Sequence, residues 1–136
     1  MSTQACIVWT QAQILSATSK VQRAPNYPDD LRLAVLTAVS WADNVKYKMI
    51  SGGFKQVIFD LMIQVVTPRN NLAANMELLG SIRDPIADIF RADQSMGGNC
   101  STYEGDVIAK FINGDIDGVK CVGYTFTVPN VKLENE

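Results

Sequence analysis

The sequence predicts an α+β fold: a single compact domain, a mostly antiparallel sheet with an N-terminal helix and a central amphipathic helix packed on it. Three observations predict this. Residues 56–66 alternate with the period of a strand, which puts Val57, Phe59, Leu61, Ile63 and Val65 on one face. Over residues 72–90, Leu72, Met76, Leu79, Ile82, Ile86, Ile89 and Phe90 recur at three- and four-residue steps, the spacing of one helical stripe. A polar turn follows, Asp93-Gln94-Ser95-Met96-Gly97-Gly98-Asn99, and two more strand-like segments close the chain. Its 136 residues make one domain, 1–136, which buries roughly 65–70% of its unfolded surface without needing a disulfide or metal.

Residues 1–20 form the first element, a helix from Thr3 to about Thr18 with Ser2 or Thr3 as its N-cap. Cys6, Ile7, Trp9, Ile14 and Leu15 supply its apolar surface, and the pattern is broad enough for two contact faces or one wide one. The sheet and central helix occupy 21–132. The stretch 20–30 is a connector in which Pro25 and Pro28 hold the residues before them extended. Residues 31–41 read as a strand apolar on both faces, as in a sheet interior. Residues 44–54 read as a hairpin arm and its tip: Val45, Tyr47 and Met49 alternate with Lys46 and Lys48, and Ser51-Gly52-Gly53 supplies the turn.

The 56–66 strand returns from that tip, and Thr67-Pro68 ends it because proline lacks a ladder donor. Asn70 or Asn71 caps the central helix, where Pro85 introduces a kink or starts a second helix. Gly97-Gly98 permits positive φ between helix and strand. A strand over 102–112 is expected to turn at Asn113-Gly114-Asp115 into another over 119–128, with Val122, Tyr124, Phe126 and Val128 on its buried face. The charged tail Asn130–Glu136 is read as loose, with 133–136 outside the sheet and helix region.

Composition narrows the chemistry. Histidine is absent, so serine and cysteine nucleophiles lack their usual base, and no catalytic residue is assigned. Cys6, Cys100 and Cys121 have no CxxC spacing and no histidine to complete a zinc set, so no metal and no cofactor is expected. They read as reduced thiols of a cytoplasmic protein, with a Cys100–Cys121 bridge between neighbouring strands as the alternative. Asp84, Asp88 and Asp93, near a helix end, are either a solvated face or a divalent-ion site, and the solvated face is the commoner outcome. Asp60, in mid-strand, is the polar half of the alternation or an interface residue. A net charge of −2 gives no basic footprint for specific nucleic-acid binding, and no stretch approaches the roughly 20 apolar residues of a membrane span.

The arm admits two readings. Its lysines either blunt an exposed sheet edge, or the arm docks its apolar residues on a partner. Apolar residues at a bare hairpin tip carry an aggregation risk, which favours docking. The candidate interface is therefore Lys46, Lys48, Met49, Ile50, Phe54 and Lys55.

The residues also match a family pattern. Lys20-Val21-Gln22-Arg23-Ala24-Pro25-Asn26-Tyr27-Pro28 follows the first helix, and Asn71-Leu72-Ala73-Ala74-Asn75-Met76 opens the central one. Ile86-Ala87-Asp88-Ile89-Phe90 then leads to Met96-Gly97-Gly98-Asn99. In these segments and their order the chain resembles the tail terminator proteins of long-tailed, lambda-like bacteriophages and gene transfer agents. The resemblance implies a virion protein, assembled in the host cytoplasm, that forms a hexameric ring on the head-proximal end of the tail tube. Such a ring stops tube growth and offers a surface to the head–tail connector, while DNA passes through its pore without specific binding. It implies no catalytic residues, and the interface residues above rest on the residue pattern alone. The alternatives are a neck, head-closure or head–tail joining protein and, from another class, a non-viral ligand-binding or regulatory α+β domain.

Overall fold

The computed structural model describes residues 2–21, 24, 36–49, 52, 55–116 and 118–134. Two helices and five strands appear in the order α1 (Thr3–Ala17), β1 (Thr37–Met49), β2 (Lys55–Pro68), α2 (Leu72–Ala92), β3 (Thr102–Tyr103), β4 (Ile108–Ile116) and β5 (Val119–Glu134). They form an α+β domain around one antiparallel sheet of order β1-β2-β5-β3, with β4 also paired to β5. The long β5 makes this possible: its first half pairs with β4, and Val131 and Lys132 pair with β3.

Both helices lie on one face of the sheet, α1 against β1 and α2, and α2 against β5. The core between them takes Phe59, Leu61, Ile63 and Val65 from β2, and Val122, Phe126 and Val128 from β5. From α2 come Leu79, Ile82, Ile86 and Phe90, and from α1 Cys6, Ile7 and Ile14. The α2 stripe is narrower than its periodicity suggested. Leu72 and Met76 are exposed, while Asn75 between them is buried. Gly123 sits where no side chain fits, since a Cβ there would lie 2.0 Å from the Val65 carbonyl oxygen.

The caps follow the sequence. Ser2 accepts from the Ala5 amide at 3.0 Å, and Asn71 accepts from the Ala74 amide at 3.2 Å. Pro85 is accommodated within a single α2 rather than starting a second helix. At the far end of α2 the Tyr103 hydroxyl donates to the Phe90 carbonyl at 2.8 Å, satisfying one of the acceptors every helix C-terminus leaves over.

Several boundaries differ from expectation. Residues 37–49 are one strand rather than two segments, and it lies at the edge of the described sheet, not in its interior. Thr37–Ser40 is nevertheless buried on both faces. The connector falls almost wholly outside the described residues. The expected strand over 102–112 is broken between Tyr103 and Ile108, and β4 runs through Asn113 and Gly114 instead of turning there. The register Ile116↔Val119 moves the hairpin turn to just after Ile116, with Gly118 at φ 79°. Nor is the tail loose up to residue 134: Leu133 and Glu134 pair with Val57 and Gln56, and Val131 and Leu133 are buried.

Candidate assembly interface

The arm begins at a pair of bulges. In β1 one extra residue lies between Asp43 and Lys46, and in β5 one lies between Val128 and Val131, opposite Phe59–Leu61. Asn44 and Asn130 take up the strain at φ 51° and 50°, a left-handed region asparagine tolerates better than most residues. Asp60 stands between them. One carboxylate oxygen accepts from the Asn130 amide and the other from the Asn44 side-chain amide, each at 3.0 Å. The mid-strand aspartate thus joins the irregularities of both neighbouring strands at the base of the arm.

Beyond the bulge the β1/β2 ribbon continues with Lys46↔Ile58, Tyr47↔Val57, Lys48↔Gln56 and Met49↔Lys55. Strand alternation puts Tyr47, Met49, Lys55 and Val57 on the side of Phe59, the helix-covered side. The core face of the sheet therefore runs on into the arm, beyond the start of α1 at Thr3, and no described element covers it there. Tyr47 is 81% exposed and Met49 73%. Between them and the N-terminus of α1 lies an open groove of about 560 Å³, floored by Val57 and Leu133 and rimmed by Ser2, Lys48 and Lys55. Among the described residues none forms an ion pair with Lys46, Lys48 or Lys55.

Of the sequence-derived interface residues, Lys46, Lys48, Met49 and Lys55 are all exposed on the arm, Met49 and Lys55 on the helix-covered side and Lys46 and Lys48 on the other. Ile50 and Phe54 lie outside the described residues. Tyr47, the most exposed apolar side chain among the described residues of the arm, was missed as an interface residue although its alternation with Lys46 and Lys48 was legible. The groove wall from β5 was not legible, because Leu133 belongs to a segment read as tail. A second exposed apolar surface runs along α1, where Val8, Ala12 and Leu15 share the face opposite Cys6, Thr10 and Ile14.

The other candidates resolve into local structure. Asp84 pairs with Arg83 and Asp88 with Arg91, while Asp93 folds back on its own turn, so the three carboxylates do not converge. Arg83 also donates to the Tyr124 hydroxyl at 3.1 Å and lies 5.5 Å from that ring, tying α2 to β5. No group of three metal-ligating side chains occurs among the described residues, and no helix among them is long and apolar enough to cross a membrane. Cys100 is not bridged to Cys121; all three thiols are free, and the Cys6 thiol of α1 donates to the carbonyl of Asn99, the residue before Cys100.

No protein-family model and no curated protein matches the chain. Among the solved structures to which the chain is similar is a chain from the virion of a native gene transfer agent (GTA) particle, aligned with a TM-score of 0.44 at 12% identity over 90% of this chain and 93% of that one. At that level the similarity assigns no role to any residue here.

Proposed function

We propose that this chain is a virion structural protein of the tail terminator kind, which caps the head-proximal end of the tail tube as a closed ring and performs no catalysis. The observation that carries the reading is the arm: a stretch of core-facing sheet, with Tyr47 and Met49 exposed, that no element of the described chain covers. A surface of this composition, with aromatic and methionine side chains central and lysines at the rim, suits a protein partner. Closing a ring takes two different patches on each subunit. The arm with its groove supplies one, and the Val8–Ala12–Leu15 stripe of α1 supplies the other. The family resemblance of the 20–28, 71–76 and 86–99 segments supports the same reading.

The arm is tested by the double variant Tyr47→Ser/Met49→Ser. Both side chains are exposed, so thermal unfolding of the isolated protein should stay within about 0.5 kcal/mol of the parent. Particles supplied only with the variant should lose capped, head-joined tails. Normal particles would remove the arm from the interface.

A further inference from the structure

We propose that Cys6 and Cys100 form a dithiol site that a small-molecule disulfide converts into an intrachain cross-link between α1 and the 93–100 turn. Cys6 lies on the buried face of α1, 0% exposed, and its thiol donates to the Asn99 carbonyl at 3.3 Å. Cys100, the next residue along, is 2% exposed, its thiol donates to the Gln94 carbonyl at 3.5 Å, and both thiols are free. The turn is fitted to α1 independently of sulfur. Gly97, at φ 68°, leaves room for Trp9, whose indole nitrogen would lie 2.6 Å from a Cβ at that position. A bond here joins two surfaces already packed together. Cys121 stands apart, in β5 opposite Pro68 and Gly114, with its thiol donating to the Val119 carbonyl at 3.4 Å.

The two thiols are not equivalent. The neighbouring Cys100 sulfur and burial push the Cys6 thiol up, while the neighbouring Cys6 sulfur lowers Cys100. With oxidised glutathione, the Cys100 thiolate attacks one glutathione sulfur, forming a mixed disulfide and releasing a glutathione thiolate that takes up a proton. Cys6 then gives up its proton and attacks the Cys100 sulfur, expelling the second glutathione, which is protonated in turn. Two protein thiols are oxidised and one glutathione disulfide is reduced to two thiols. Since both sulfurs are buried, the first attack follows a local opening of the turn. The linked positions are 94 apart in the chain, so the bond restricts the unfolded state strongly and raises the melting temperature.

The test is to incubate the native full-length protein with oxidised glutathione, alkylate the remaining thiols and digest with trypsin. The three cysteines fall in separate peptides, 1–20, 92–110 and 121–132. The expected product is a covalent pair of 1–20 with 92–110 in most molecules, accompanied by a higher melting temperature. It should be reproduced in Cys121→Ser and lost in Cys100→Ser. Should Cys100→Ser fail to fold, the parent and Cys121→Ser decide the question by themselves. The proposal is overturned if Cys6 and Cys100 are recovered alkylated under conditions that oxidise the urea-unfolded chain. Native cross-links through Cys121, or a cross-link that lowers the melting temperature, would also overturn it.

Discussion

Asp60 shows how one side chain sets the course of a whole ribbon. Its carboxylate holds the Asn44 side chain and the Asn130 backbone, the two left-handed residues of the bulges on either side. Asp60→Ala should therefore cost about 1–2 kcal/mol in a denaturant titration, since two hydrogen bonds to a charged group are lost at a partly exposed site. An unchanged midpoint would mean the bulges hold without it. Asp93 does similar work in its turn. The Ser95 hydroxyl, the Gly97 amide and the Ser95 amide all donate to its carboxylate, holding it below the ordinary value of 3.8. A carboxyl lowered in the folded state contributes stability above its unfolded value and loses it as pH falls through the lower folded value. Melting temperature followed down past pH 3.8 should fall less steeply in Asp93→Asn than in the parent; parallel curves would contradict that role.

Among the elements, those with an unambiguous period were legible and those defined by distant partners were not. β2 and α2 could be read because alternation and the three-to-four step do not depend on neighbours. The end of β5 could not, because Val131 and Leu133 are separated from the strand pattern by Pro129 and by Asn130 at positive φ. The hairpin loop was misplaced because Asn113-Gly114 and Asp117-Gly118 carry the same local signal, and only pairing with β5 chooses between them. α2 also carries a conflict of its own. Pro85 removes a helix donor, and Gly80, one turn earlier, has no steric reason to be glycine, since a Cβ there meets nothing within 4 Å. Gly80→Ala should stabilise the protein by about 0.8–1 kcal/mol. A lower unfolding midpoint would show that the helix needs glycine's freedom ahead of the proline.

For the molecule as a whole, the α+β architecture was predictable from sequence, and so was the pairing of residues 46–49 with 55–58. Four of the six expected interface residues, Lys46, Lys48, Met49 and Lys55, are exposed there; Ile50 and Phe54 lie outside the described residues. What sequence could not supply were contacts between segments far apart in the chain. The groove between α1, the arm and the end of β5 is one, and the meeting of Cys6 with Cys100 is another. Among the described residues the helices cover the core and leave the arm open, which is what the proposed ring subunit requires. The central claim, that it completes a ring limiting tail growth, is tested most directly by electron microscopy of particles produced with a stop codon in this gene. Overlong, irregular tails unattached to full heads are the expected result. Tails of normal length lying free beside heads would contradict it and move the protein to the neck.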